Sequence, residues 1–230
     1  LKKDLAIYKG VYRDKKGSHQ IKIYNDYEFL SFQLGQFKFE GTSIDDFELL
    51  DYDKYSSEEL ERFSFNKIRC GDGFSYEICD YDLTLIIPIQ LIEGITSEVK
   101  TLDLKIFSKC GKALRSGAID KYELCLEITI NKIKYTGQGD LFEIAANDLI
   151  KNLKGKYRFN NCFGCSFSDY SVYGQNTFGT MLCFKNQKKK YLKVKTKAQY
   201  MNLNREDRLV QETFLCEEFE IRKNNLGYRG

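Results

Sequence analysis

The residues with the plainest chemical potential are four cysteines in the last third of the chain, Cys162, Cys165, Cys183 and Cys216. Cys162-Phe163-Gly164-Cys165 is a CxxC knuckle, in which two intervening residues let the backbone curl until both thiolates face one ion; Gly164 adds conformational freedom. With two further thiols the set would complete a tetrahedral sulfur site, so the spacing points to one structural Zn2+ as the only cofactor. The second half of that site is irregular, because Cys183 and Cys216 are single residues that only tertiary structure can bring to the knuckle. Two other uses compete with zinc. Free cysteine is among the most buried residue types, and Met181-Leu182-Cys183-Phe184 suits a small buried hydrophobe. The third use is a redox pair or disulfide, but a thioredoxin-like motif needs a helix starting at the CxxC, and Ser166 to Gly179 is polar and punctuated by glycine. Cys70, Cys79, Cys110 and Cys125 are scattered among strand-like segments and read as core or surface thiols.

No catalytic residue set emerges from the rest of the chain. His19 is the single histidine; it follows Gly17-Ser18 in a hairpin-like turn, with no marked nucleophile or orienting partner for Cys–His or Ser–His chemistry. There is no GxSxG elbow, Walker A loop or HExxH helix. Gly137-Gln138-Gly139 lacks the third glycine of a dinucleotide loop and reads as a turn before a helix. Residues 40–82 hold thirteen carboxylates against four Lys and Arg. Within them Asp45, Asp46, Glu48, Asp51 and Asp53 could form an acidic surface for a basic partner, the competing reading being an ordinary solvated face. Paired carboxylates for a hydrolase could hide in the same set, but spacing alone does not show which ones face each other. The basic counterpart is the run from Lys188 to Lys197. Read as a strand, it places Lys189, Tyr191, Lys193, Lys195 and Lys197 on one face, suited either to nucleic-acid phosphates and a stacked base or to guarding a sheet edge.

The elements that must position these residues are mostly strands. Tyr8 to Tyr12, Gln20 to Tyr24 and Phe29 to Phe39 are aromatic and β-branched runs separated by turn-like Asp14 to Ser18 and Asn25-Asp26, which reads as a meander. Leu83 to Ile92, Thr101 to Phe107 and Tyr122 to Tyr135 read as three long strands, the first apolar enough to be central. Ser56 and Ser57 before Glu58 and Glu59 suggest a short capped helix within 51–65. Asp140 as N-cap, Glu143 as its capping-box partner and the spacing of Leu141, Phe142, Ala145, Leu149 and Leu153 predict a second helix over 141–153. The fold expected is therefore mainly β (α+β). An antiparallel β-sandwich-like N-terminal part with one or two helices (1–154) precedes a smaller, basic, Cys-containing β-rich part (155–230), the alternative being one continuous domain.

Charge supports that division. Residues 1–150 carry 20 Lys and Arg against 26 Asp and Glu, and residues 151–230 carry 16 against 7, so the net +3 conceals two oppositely charged parts. No stretch nears the roughly 18–20 apolar residues of a membrane span. Leu1-Lys2-Lys3-Asp4 shows no apolar block of a signal peptide, which fits a cytoplasmic protein trimmed at its start, whose thiols stay reduced or bind metal; in a secreted chain the same eight cysteines could form four disulfides.

The C-terminal run has a recognisable pattern: Asn161-Cys162-Phe163-Gly164-Cys165, Ser168-Asp169-Tyr170, Met181-Leu182-Cys183-Phe184, Val210-Gln211-Glu212, Leu215-Cys216 and Gly227-Tyr228-Arg229-Gly230. It resembles an uncharacterised family of small bacterial cytosolic proteins, of the kind found among immunity proteins that neutralise contact-delivered toxins. The resemblance implies a non-enzymatic protein that binds a partner, a cognate toxin, by occlusion, and it implies no catalytic residue. The other classes to weigh are a nucleic-acid-binding or regulatory module using the basic run, and a carboxylate hydrolase.

Overall fold

The structure, a computed structural model, describes residues 5–172, 177–179, 181–203, 209–223 and 227–228. Leu1 to Asp4, and Arg229 and Gly230 of the tail pattern, lie outside the described residues.

Period-two alternation of apolar and polar residues builds eleven strands from the first part of the chain. They are β1 (Ala6–Asp14), β2 (Gly17–Asn25), β3 (Leu30–Leu34), β4 (Phe37–Gly41), β5 (Glu48–Leu49), β6 (Ser64–Cys70), β7 (Gly73–Cys79), β8 (Tyr81–Glu93), β9 (Val99–Cys110), β10 (Tyr122–Ile130) and β11 (Ile133–Gly139). They form one antiparallel sheet in the order β11-β10-β9-β8-β1-β2-β3-β4-β5-β7-β6. Strands that alternate in this way turn one face to a core and the other to water. In β8, Tyr81, Leu83, Leu85, Ile87, Ile89 and Leu91 all point inward and are buried. The sheet bends round so that remote strands meet: the Tyr81 hydroxyl donates to the Ile44 carbonyl, and the Asn66 amide of β6 donates to Gly117 O in the β9–β10 connection, 3.0 Å away. The two layers expected of a sandwich thus belong to one continuous sheet around one core, and the mainly β, α+β class holds.

β8 takes the central place that its apolar run suggested. It pairs along its length with β9, with β1 through Asp82 to Ile86, and through Leu91 to Glu93 with β12 (Tyr157–Phe159). The chain's one proline, Pro88, falls in the gap between the last two pairings, where a missing N–H costs no ladder bond. β12 lies beyond residue 155, so the strand that opens the C-terminal part joins the main sheet.

Several boundaries differ from the expectations. Phe29 to Phe39 is a hairpin turned at Gly35, and Tyr122 to Tyr135 is a second hairpin, turned at Asn131 and Lys132, both with positive φ. Gly35 and Asn131 mark the two turns in the sequence, each inside a run otherwise rich in strand-forming residues. Gly137-Gln138-Gly139 is not a turn but the end of β11, and the reason is packing: a Cβ on Gly137 would overlap the Ala145 carbonyl and the Leu149 amide of the helix lying across it. That helix, α2 (Phe142–Asn152), follows α1 (Ser57–Leu60), the short capped helix expected within 51–65, which Ser56 and Glu59 close with a capping box. Asp140 does not cap α2. Its N-cap is Leu141, and the Phe142 amide donates instead to Thr177 O at 2.7 Å.

The C-terminal part has a small sheet of β13 (Ser168–Asp169), β14 (Met181–Cys183) and β15 (Leu209–Val210), with short helices α3 (Lys188–Tyr191) and α4 (Lys197–Met201). Phe167, Phe184, Tyr191 and Tyr200 form its aromatic core. It is tied to the main sheet by paired side-chain amides, Asn25 and Gln211, both fully buried, and by Phe178, which enters the main core against Phe142.

Candidate functional site

The knuckle exists as a tight turn. Cys162–Gly164 is a 3-10 helix, and the Cys165 amide donates to Cys162 O at 3.1 Å. Cys183 stands on β14 directly opposite Ser168, and the Cys162 amide donates to the carbonyl of Phe214, two residues before Cys216. Cys162, Cys183 and Cys216 therefore share one apolar cluster with Met181 and Val210, while Cys165 packs with Phe167 and Tyr191 beside it. Burial pushes the Cys183 thiol up, and Cys165 and Cys216 lie within electrostatic reach of it and push it further. Tertiary structure does bring the two lone cysteines to the knuckle region. Among the described residues, no three Cys, His, Asp or Glu side chains form a group with metal-holding geometry. Sulfur donors of this kind suit zinc, so the question passes to metal analysis.

The acidic residues separate into three settings. Asp51 and Asp53 are exposed, and Asp51 pairs with Lys54 at 2.7 Å on the surface. Asp45 and Asp46 are turned inward. The Asp45 carboxylate accepts from the Thr177 hydroxyl at 2.8 Å, from its amide and from the Ser43 hydroxyl, clasping the C-terminal part to the β4–β5 connection. Asp46 accepts from the Thr42 hydroxyl and the Ser43 amide, and burial raises its pKa. Glu48 is the middle of a rung that spacing could not reveal: it lies opposite Glu40 on β4 and Glu77 on β7. Burial, followed by the charges of Asp46, Asp45 and Glu48, pushes Glu77 up to about 7.

The basic stripe is not a strand. Residues 185–187 are a 3-10 turn, Lys188–Tyr191 is helical and a second helix begins at Lys197, so period-two spacing does not set which side chains share a face. Lys189, Lys193, Lys195 and Lys197 are on the surface. Tyr191 is fully buried, stacked on Phe184 at 4.7 Å and donating its hydroxyl to Asp169 at 2.9 Å. A ring so placed cannot stack on a base. Helical turns won because Tyr191 and Val194, three apart, both reach the aromatic core, which a strand would not permit. His19 lies against Arg62, whose guanidinium also pairs with Asp14 at 2.8 Å, and that accounts for its place structurally.

The site that sequence reading missed is a groove of ≈ 680 Å3 on the outer face of β1, β8, β9, β10 and β11. Its size falls in the range of roughly 300–1,000 Å3 typical of binding clefts. Two rungs of side chains line it. Arg13, Asp82, Lys109 and Glu123 stand in register across four strands, giving a row of charges that alternates in sign. Beside it run Val11, Thr84, Phe107, Cys125 and Gln138, with Phe107 39% exposed. Each strand shows its pair at i and i+2, but the register that assembles the pairs belongs to tertiary structure.

A family model described as a family of unknown function (DUF6304) matches residues 6–168, and the chain belongs to that family. The match covers the main sheet and α2 and extends only as far as Ser168 of the C-terminal pattern. No curated protein and no solved structure matches.

Proposed function

For this member of a family of unknown function, we propose a non-enzymatic role as a protein-binding protein that captures its partner in the outer-face groove, in the manner of an immunity protein that occludes a toxin. The observation that carries the reading is the groove itself: an open floor with an exposed aromatic ring, rimmed by charges of both signs, is the anatomy of an interface anchor with a polar rim. Asp45 and Asp46 are engaged within the molecule, so the partner surface moves from the acidic segment to the groove. We take the compartment to be the cytoplasm, where eight thiols stay reduced; among the described residues no helix is long and apolar enough to cross a membrane. The test is growth rescue on co-expression with a toxin encoded beside the gene. Protection that Phe107→Ala or Lys109→Glu abolishes in a folded protein supports the reading. A gene with no toxin neighbour and no protective effect, or protection indifferent to both substitutions, ends it.

A further inference from the structure

We infer that the groove receives an α-helix of the partner, laid across the strands, whose acidic and basic side chains alternate turn by turn. This rests on the protein-binding reading above and specifies the partner's chemistry. The first argument is about backbone. At the groove β1, β8, β9 and β10 are each hydrogen-bonded on both sides, β1 to β2 and β8, and β10 to β9 and β11. β11 is the edge strand of the sheet, but its Gln138 amide is taken by the Asp148 carboxylate at 3.0 Å, and the four strands that carry the charged row expose no edge, so recognition along the row is by side chains alone. A partner strand on this face would leave its own N–H and C=O groups unpaired under cover, whereas a helix satisfies them internally. The second argument is spacing. Neighbouring strands lie about 4.8 Å apart and a helical turn rises about 5.4 Å, so Arg13, Asp82, Lys109 and Glu123 step along the row at nearly one strand per turn. The accumulated mismatch over three steps is about 2 Å, within reach of flexible charged side chains. The third is charge complementarity. The row reads positive, negative, positive, negative, with Glu123 also paired to Lys121 on its own strand, so it offers a match to acid, base, acid, base at successive turns in which the last base takes the place of Lys121. An apolar stripe next to those charges would meet Val11 and Phe107.

The probe is a fifteen-residue helical peptide carrying Glu, Lys, Glu and Lys one turn apart with leucines on the adjoining stripe. The control has the same composition with the charges in blocks, Glu, Glu, Lys, Lys. Simple inversion to Lys, Glu, Lys, Glu is a poor control, because the helix can reverse its direction and restore the charge match, with its leucines on the other side; the block order leaves two of four contacts repulsive in either direction. Chemical-shift titration of the isotope-labelled full chain should show the alternating peptide binding about tenfold more tightly than the block peptide, with shifts at Phe107 and Lys109. Lys109→Glu should remove the preference while the spectrum stays folded. Equal binding of the two peptides, shifts elsewhere on the molecule, or no binding of either up to millimolar concentration overturns the helix proposal. If Lys109→Glu nevertheless abolishes protection against a toxin, the groove reading stands and only the helix falls; if neither effect appears, both fall.

Discussion

Glu77→Gln should stabilise the protein in alkaline solution and change little in acid. Glu77 stands directly opposite Glu48, which stands opposite Glu40, and like charges in register across a sheet repel. Its carboxyl is pushed up to about 7 from the usual 4.5, by burial first and then by Asp46, Asp45 and Glu48. At 1.36 kcal/mol per unit the whole shift would correspond to about 3 kcal/mol, and discounting for solvent screening of a half-buried group leaves about 1–2 kcal/mol. The sign follows from linkage. A carboxyl with a raised folded pKa binds its proton more tightly in the native state, so its ionisation leaves stability intact below about 4.5 and erodes it as pH rises to about 7 and beyond. Glutamine keeps the shape and a hydrogen-bonding amide without the charge. Urea unfolding at pH 8.5 should place Glu77→Gln above wild type by about 1–2 kcal/mol, and the two should nearly coincide at pH 4.5. The other carboxylates are present in both proteins, so the difference isolates the ionisation of Glu77, with its burial and its acidic neighbours together. Equal stability at pH 8.5, or a loss there, would refute the argument.

Gly137→Ala should destabilise by about 3 kcal/mol, read as a lower urea midpoint, because the added methyl overlaps the α2 backbone rather than a yielding side chain. Asp45→Ala should cost about 1–3 kcal/mol, since it leaves the Thr177 amide and hydroxyl without their acceptor, and protease susceptibility should rise in the C-terminal part before it rises in the main sheet. For the cysteines, protein purified without chelator should carry near-stoichiometric zinc that Cys216→Ser removes; folded, metal-free wild type ends the zinc proposal.

Much of the fold was legible in the sequence because it depends on local alternation. Tyr8 and Tyr12 against Lys9 and Arg13, or the inward run of β8, declare a strand and its buried face without reference to anything distant. Ser56 with Glu59 likewise announced a capped helix from four residues. What failed was whatever depends on a neighbour. Gly137-Gln138-Gly139 looks like a turn until α2 is laid across it, and Lys189 to Lys197 looks like a strand until Tyr191 and Val194 are drawn into one aromatic core. Asp45 looked free for a partner because its ligand, Thr177, lies 132 residues away. Cys183 and Cys216 reach the region of the CxxC turn through the fold of the C-terminal part, which their spacing did not show, and Cys165 packs in the neighbouring cluster. Glu77 and the groove residues carried no signal, since register across strands is fixed by the whole sheet.

The central claim is that the outer-face groove is where a partner protein docks. Calorimetric titration of the purified toxin encoded beside the gene, against wild type and against Phe107→Ala combined with Lys109→Glu, tests it most directly. The account predicts saturable binding to wild type and a loss of about thirtyfold or more in the double variant, as expected when an aromatic anchor and a rim charge are removed together. Unchanged affinity in a folded double variant would contradict it.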